Sequence, residues 1–173
     1  YRWILVDEYQ DVGPLEYELI GAIAGRSIAD GDGRLNLFAV GDDDQNIYAF
    51  KGASVEFIRR FEADYKARPV QLIENYRSTA NIVRAANLVI APATERMKAG
   101  HDITVDAARR HAPPGGPLAP LDAVGQGRVQ VLSAGADRFE QAALAVRELA
   151  RLSKLDPDWR WDRAAVIGRT WSV

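Results

Sequence analysis

The chain has 173 residues, of which 47% are hydrophobic, and it contains no cysteine and two histidines. The hydrophobic fraction is sufficient for a buried core, and the lack of cysteine excludes disulfide scaffolds and thiolate metal sites. The net charge of -2 excludes a histone-like basic protein and an acidic solvating tail. Acidic residues nevertheless outnumber basic ones up to residue 68 and the reverse holds afterwards, so the first part suits a cation and the second suits phosphate.

The sequence offers no membrane or export signal. No apolar run approaches the roughly 18 residues that a transmembrane helix needs, and no basic start precedes an apolar stretch. We therefore expect a cytoplasmic protein with no membrane partner. The chain begins at Tyr1, without Met, directly in the strand-like residues 1–6, which predicts a piece of a larger protein.

Short apolar strands followed by amphipathic helices predict an α/β fold. Residues 3–6 and 35–40 are typical of strands buried in a parallel sheet. Pro14 is expected to begin one helix and Ser54 to cap another. Helical spacing predicts that the following side chains face the core: Leu15, Leu19, Ile20 and Ile23 in the first helix, and Phe57, Ile58, Phe61 and Tyr65 in the second.

The pattern restarts after Arg68, and we place a boundary there between two domains, 1–68 and 69–173. Residues 70–73 predict a strand, and Ser78 is expected to cap the helix that follows. The inward side chains of that helix are predicted to be Ile82, Val83, Ala86, Val89 and Ile90.

The rest of the chain carries weaker signals. The Pro/Gly-rich residues 112–127 predict an exposed loop. Strands are expected around residues 129–131 and at 164–168. Between them, Asp137 and Glu140 resemble a capping box for a helix that ends near residue 154.

Two adjacent carboxylates, Asp7 and Glu8, follow the first strand. Ligands of open α/β sheets bind beyond the carboxyl ends of strands, which makes this a candidate site. Asp7 suits a phosphate-bound Mg²⁺, and Glu8 suits the acceptance of a proton from an attacking water. The alternative is a pair of solvated charges that begin a turn, and for an isolated Asp-Glu pair that alternative is the stronger.

A second candidate segment, residues 40–53 (VGDDDQNIYAFKGA), also ends a strand. Its three consecutive aspartates repel one another, so a cation or donor groups are expected nearby. Gln45 can both donate and accept, which suits a phosphate oxygen or its water. Tyr48 and Phe50 beside Lys51 combine stacking faces with a cation, as in single-stranded nucleic-acid sites. The alternative for these aromatic residues is core packing.

The third candidate segment, residues 72–78, lies just before a helix. Arg77 could reach a γ-phosphate, and Tyr76 could present its ring to a nucleobase. Alternatively, Arg77 pairs with Glu74 on the surface and Tyr76 packs into its own domain.

In order and spacing these segments resemble the UvrD/Rep/PcrA-type DNA helicases of superfamily 1. Residues 7–11 resemble motif II of that family, residues 40–53 motif III and residues 75–78 motif IV. The resemblance covers about the first half of the chain. It implies that the first predicted domain is the C-terminal part of a RecA-like P-loop NTPase motor domain, and that the second is the start of another RecA-like domain.

The resemblance also implies residue roles in ATP hydrolysis. Asp7 would bind Mg²⁺ and Glu8 would be the catalytic base. Gln45 and Arg77 would contact the γ-phosphate of ATP, and Tyr76 would stack near the adenine. The residues expected to border single-stranded DNA are Tyr48, Phe50 and Lys51.

Three departures from the family pattern stand out. Lys51 stands where the family commonly has Arg, and lysine cannot make the two parallel hydrogen bonds that a guanidinium makes to a phosphate. Phe50 stands where the family commonly has Trp. The sequence Gly-x-x-x-x-Gly-Lys-[Ser/Thr] of a phosphate loop does not occur. We therefore expect a fragment of an ATP-dependent helicase that translocates 3′ to 5′ on single-stranded DNA and unwinds duplex junctions, with no activity of the isolated chain.

Two other functions remain open at this point. One is a degenerate helicase-like domain that binds nucleic acid or protein without turnover. The other is a metal-dependent nuclease that uses the many aspartates, although it gives no reason for Gln45 or for residues 75–78.

Overall fold

A computed structural model describes residues 2–26, 36–47 and 52–168, which form two compact units. The first unit contains the described residues up to Leu72 together with Pro92–Asp102. The second contains Ile73–Ala91 and the described residues from Ile103 onward. Each unit combines helices with a two-stranded parallel sheet, which confirms the α/β prediction.

The first unit is built on strands β1 (Trp3–Val6) and β2 (Asn36–Ala39), which pair in parallel. Helix α1 (Pro14–Ala24) begins at Pro14, where a missing N–H costs nothing. Helix α2 (Val55–Tyr65) is capped by the Ser54 hydroxyl, which accepts from the Glu56 N–H at 3.2 Å. Both predicted helix starts are confirmed.

The core of the first unit lies between the sheet and these two helices. It contains Tyr9, Val12, Tyr17 and Ile58. The Tyr9 ring meets the Phe61 ring edge-on with centroids 5.0 Å apart. Ile58 and Phe61 therefore face inward as predicted, with Phe57 stacked on Tyr17 at 4.4 Å.

The predicted inward face of α1 is wrong for three of its four residues. Leu15, Leu19 and Ile23 are more than half exposed, whereas Tyr17 and Ala24 are buried and only Ile20 packs on the core as expected. The helix is apolar on two sides, so periodicity could not distinguish them. The buried side of α1 is the one that carries Tyr17, whose ring stacks on Phe57 of α2.

The two strands are also less buried than predicted. Trp3, Leu5 and Phe38 are more than half exposed, while Val6 and Ala39 pack against the core. Successive strand residues point to opposite faces, and α1 and α2 cover only one of them. An apolar face of the sheet is thus open within the described part of the chain.

The second unit has a shorter sheet of β3 (Glu74–Asn75) and β4 (Thr104–Val105), and two long helices. Helix α3 (Ala80–Ile90) follows Thr79, so the predicted cap at Ser78 is wrong; instead, the Asn75 side chain accepts from the Ser78 N–H at 2.6 Å. In α3, Val83 is buried as predicted, but Ile82, Ala86 and Val89, which were also predicted to face inward, are exposed.

The helix predicted after Asp137 is confirmed as α4 (Arg138–Leu155). The Asp137 carboxylate accepts from the N–H groups of Phe139 and Glu140. No described helix is both long and apolar enough to cross a membrane.

The strands predicted at residues 70–73, 129–131 and 164–168 are absent from the described structure. Val131 and Ile167 are more than nine-tenths exposed. A strand needs a neighbour for its backbone hydrogen bonds, and an apolar run alone does not supply one. Among the described residues, the first of these runs meets β4 only at its end, where the Ile73 carbonyl accepts from the Thr104 N–H at 2.8 Å, and the other two pair with no strand.

The Pro/Gly-rich residues 112–127 are not simply an exposed loop. Asp122 is buried and accepts from the N–H groups of Val124 and Gly125. Arg151 in α4 donates two further hydrogen bonds to it, at 3.0 and 2.9 Å. The Arg151 guanidinium, with these N–H groups, holds the pKa of Asp122 well below its usual value. This segment is therefore anchored by a buried charge.

Candidate functional site

Residues 7–11 and residues 40–47, the part of the second candidate segment next to its strand, lie side by side at the carboxyl ends of β1 and β2. The Val40 N–H donates to the Val6 carbonyl, and the Tyr9 N–H donates to the Val40 carbonyl, both at 2.9 Å. These bonds extend the sheet ladder beyond the strands. They bring the loop that carries Asp7 and Glu8 next to the loop that carries Gln45.

Asp7 and Glu8 are exposed where β1 ends. Glu8 has left-handed backbone angles, φ 52° and ψ 44°, which a non-glycine residue adopts at a cost. Its N–H donates to Asp7 Oδ1 at 2.9 Å. The turn places both carboxylates in solvent at the end of the sheet.

Gln10 joins the two loops, a role that the sequence analysis did not assign. It is only 2% exposed, and its Nε2 donates to Glu8 Oε2 at 2.7 Å. Its Oε1 accepts from the Asp42 N–H at 3.0 Å, and its backbone carbonyl accepts from Asn46 Nδ2. A neutral amide inside the acidic run at residues 7–11 was the available signal, because an amide can donate and accept at once whereas a carboxylate only accepts.

Gln45 lies on a short 3₁₀ turn, Asp43–Gln45, and is exposed. Its Nε2 donates to Asp42 Oδ2 at 2.7 Å. Glu8, Gln10, Asp42 and Gln45 are therefore connected through hydrogen bonds of side chains and one backbone N–H, and we call these four residues the Glu8–Gln45 network. It contains the two first-unit residues predicted to act on the attacking water.

Residues 42–44, the aspartate triplet, have carboxylate oxygens within 4.8 Å of one another. Arg96 donates to both oxygens of Asp44, at 2.9 and 2.7 Å, and Lys98 Nζ lies 2.6 Å from Asp42 Oδ1. The Arg96 hydrogen bonds, helped by the Lys98 charge, lower the pKa of Asp44. The prediction that a cation or donor groups lie near the triplet is confirmed, and the groups are side chains of Pro92–Asp102.

The third candidate segment belongs to the second unit, where Tyr76 and Arg77 are exposed. The Tyr76 hydroxyl donates to Glu74 Oε2 at 2.7 Å, which raises the pKa of the phenol. Tyr76 is 73% exposed, so it does not pack into its own unit. Glu74 pairs with Arg110 at 3.6 Å, and no ion pair of Arg77 occurs in the described parts of the chain.

Arg109 fixes the backbone of this segment, which the sequence analysis missed. Its guanidinium donates to the carbonyls of Asn75 and Ser78 and to the buried Asp106 carboxylate. The Arg109 hydrogen bond lowers the pKa of Asp106. The loop that presents Tyr76 and Arg77 is thereby held on both sides. The predicted DNA-contacting residues lie outside the described residues: Tyr48, Phe50 and Lys51.

Comparison with known proteins relates the first part of the chain to a helicase family. Residues 1–66 match the model of the UvrD/REP helicase N-terminal domain. In sequence, these residues are similar to the UvrD/REP helicase family. This match covers the first two candidate segments and confirms the resemblance read from their motifs.

Several UvrD/REP relatives carry helicase names. The ATP-dependent DNA helicase UvrD1 of Mycobacterium tuberculosis is 50% identical over 92 residues, 53% of this chain and 12% of the relative. DNA helicase II of Haemophilus influenzae is 43% identical over 97 residues, 56% of this chain and 12% of the relative. The ATP-dependent DNA helicase PcrA of Staphylococcus epidermidis is 43% identical over 101 residues, 58% of this chain and 13% of the relative. The matched part thus spans about an eighth of each relative's length.

The first testable prediction concerns Gly41, where the two loops approach each other closely. A Cβ added there would lie 2.8 Å from Ile58 Cδ1 and 2.9 Å from Gln10 Oε1. We expect Gly41→Ala to lower the free energy of unfolding by about 1–3 kcal/mol, the usual cost of overpacking. Urea unfolding measures it, with Ile58→Val as the matched background because it removes Cδ1. An equal cost in both backgrounds would show that the Ile58 contact is not responsible.

Proposed function

We propose that the chain is part of an ATP-dependent DNA helicase or translocase. In this proposal residues 1–68 are the C-terminal part of one RecA-like P-loop NTPase motor domain, and residues 69–173 begin a second. The observation that carries the proposal is the Glu8–Gln45 network, which puts a carboxylate and an amide at the same edge of a parallel sheet. The UvrD/REP match and the helicase relatives support it.

Glu8 is proposed as the base that accepts a proton from the water attacking the γ-phosphate of ATP. Its carboxylate is exposed, and Gln10 holds one of its oxygens by a hydrogen bond of 2.7 Å. That bond fixes the carboxylate while the other oxygen can receive the proton. A general base must be held within hydrogen-bond reach of the proton that it takes.

Asp7 fits the proposed Mg²⁺ that accompanies ATP. Its Oδ1 accepts from the Glu8 N–H, and its Oδ2 has no hydrogen bond within the described residues. Carboxylate oxygens are the hard ligands that Mg²⁺ prefers. When bound, Mg²⁺ would neutralise phosphate charge, and Asp7 would hold the ion or one of its waters.

Gln45, Arg77 and Tyr76 are proposed to bind the rest of the nucleotide. Gln45 uses its amide nitrogen on Asp42, so its Oε1 can accept from the attacking water. Arg77 is exposed and would offer a planar charge to the γ-phosphate. Tyr76 exposes a ring that can stack near the adenine.

The proposed DNA substrate is a single strand, with duplex junctions as the site of unwinding and 3′ to 5′ as the direction of movement. The contacts would come from residues 48–51, where two aromatic rings and a lysine follow Gln45 in sequence. Aromatic rings stack on bases of any sequence, and a nearby cation binds the backbone phosphates.

A second testable prediction separates base stacking from core packing at Tyr48. In the full-length protein, we expect Tyr48→Ala to weaken single-stranded DNA binding by about 1–3 kcal/mol with little change in the unfolding temperature. A core residue would instead lose about 3–5 kcal/mol of stability. DNA affinity and thermal unfolding are measured on the same sample. Unchanged affinity with a large loss of stability would remove Tyr48 from the DNA site.

The decisive experiment for the function is steady-state ATP hydrolysis by the full-length protein with and without single-stranded DNA. We expect hydrolysis that DNA stimulates, together with strand separation that requires ATP. Because the chain contains no phosphate-loop sequence, we expect no turnover from residues 1–173 alone. Full-length protein that binds DNA but does not hydrolyse ATP would support the degenerate, binding-only alternative.

The nuclease alternative has less support. It would need the aspartates as metal ligands, but Arg96 and Lys98 already occupy oxygens of the aspartate triplet. Cleavage of DNA with Mg²⁺ in the absence of ATP would favour the nuclease over the helicase.

A further inference from the structure

The strongest feature without an assigned role is the set of hydrogen bonds and ion pairs that Pro92–Asp102 makes with the aspartate triplet. Arg96 makes a two-bonded contact with Asp44, and the side chains of both residues are 13% exposed. Lys98 Nζ lies 2.6 Å from Asp42 Oδ1 and 3.4 Å from Asp44 Oδ2. The Met97 N–H donates to the third carboxylate, of Asp43, at 2.9 Å. Each aspartate of the triplet therefore has a partner on a segment about 50 residues later in the sequence.

The Asp42 carboxylate is shared between Lys98 and the Glu8–Gln45 network. Oδ1 faces Lys98 Nζ and also accepts from the Asp44 N–H at 3.1 Å, while Oδ2 accepts from Gln45 Nε2 at 2.7 Å. A carboxylate held by a cation on one oxygen can orient a donor on the other. Lys98 is thus one carboxylate away from the amide proposed to hold the attacking water.

The charge on Lys98 also offsets the repulsion between the carboxylates of the triplet in this orientation. Without Lys98, the Asp42 and Asp44 carboxylates would repel each other with one cation, Arg96, bonded to only one of them. Asp42 Oδ1 would then be held by the Asp44 N–H alone, so the carboxylate that accepts from the Gln45 amide would be less firmly fixed. The expected result is a less ordered Gln45 rather than a lost nucleotide contact.

We infer that Lys98 is a positioning residue for ATP hydrolysis, which acts through Asp42 to hold the Gln45 side chain in its working orientation. Arg96 supports it by fixing Asp44 in the same loop. The inference rests on the proposed function, because it assumes that Gln45 orients the attacking water. Lys98 itself touches neither nucleotide nor water in this inference.

The test uses Lys98→Met in the full-length protein, because methionine keeps the apolar stem and removes the charge. At saturating single-stranded DNA, we expect kcat for ATP to fall about 10-fold, as for other supporting residues, with KM little changed. Lys98→Arg keeps the charge and should restore most of kcat. Arg60→Met is the matched control, because Arg60 pairs with Glu56 and Asp64 on α2 away from the network, and it should leave kcat unchanged.

A double-mutant cycle with Gln45→Ala shows whether Lys98 acts through Gln45. If it does, Lys98→Met should have little further effect on kcat once Gln45 is absent. Independent, multiplying effects would overturn the inference, as would an unchanged kcat in Lys98→Met when Gln45→Ala is impaired. If Gln45→Ala itself retains full turnover, the proposed role of Gln45 fails first. Should Lys98→Met not fold, Lys98→Gln takes its place in the same cycle.

Discussion

Replacing Glu8 by glutamine in the full-length protein is expected to lower ATP turnover by about 10²- to 10⁴-fold, the usual contribution of a general base. Glutamine has the same shape and can still accept the hydrogen bond from Gln10 Nε2, but it cannot take a proton from water. Nucleotide affinity should therefore change little. Steady-state hydrolysis and equilibrium binding of Mg²⁺·ATP measure the two effects separately.

Glu18→Gln is the matched control for this change. Glu18 is an exposed glutamate of α1 that pairs with Arg26, and it lies outside the Glu8–Gln45 network. Its replacement should leave turnover as it was. Turnover within a few-fold of the original protein after Glu8→Gln would show that Glu8 is not the base, and the proposed assignment of residues 7–11 would then fail.

Truncating Tyr9 to alanine is expected to cost about 3–5 kcal/mol of the free energy of unfolding, the range for a large buried aromatic residue. Tyr9 is a fully buried residue of the core of the first unit, and its ring contacts the Phe61 ring edge-on. Because it directly follows Glu8, the same change should also disturb the turn that presents the carboxylate. Urea unfolding measures the first effect and ATP turnover the second.

Tyr9→Phe separates the ring of Tyr9 from its hydroxyl. Burial raises the pKa of the phenol, and its oxygen has no hydrogen bond among the described residues. Removal of an unpaired buried hydroxyl should cost little or even stabilise the protein. A loss in Tyr9→Phe as large as in Tyr9→Ala would mean that the hydroxyl, rather than the ring, holds the core.

Local signals in the sequence predicted local structure well. The caps at Ser54 and Asp137 and the helix start at Pro14 depend on residues within one turn of the helix end, so they could be read directly. The adjacency of residues 7–11 and 40–47 could be expected too, because parallel strands end at one edge of their sheet.

Long-range partners could not be predicted in the same way. Nothing near the aspartate triplet in sequence indicates that Arg96 and Lys98 bind it, and nothing near Asn75 indicates Arg109. These contacts depend on how distant segments meet. Strand formation at residues 164–168 failed as a prediction for a related reason, since apolar residues favour a strand only where another strand is available to pair with it.

The left-handed backbone at Glu8 has a consequence for how the protein tolerates mutation. A non-glycine residue in that conformation costs about 1–2 kcal/mol, and glycine avoids most of this cost. Selection for stability alone would thus favour glycine or asparagine at position 8 and discard the carboxylate. A library of variants sorted only by resistance to heat would drift toward well-folded proteins without the proposed base, so thermal stability and catalysis pull this one position in opposite directions.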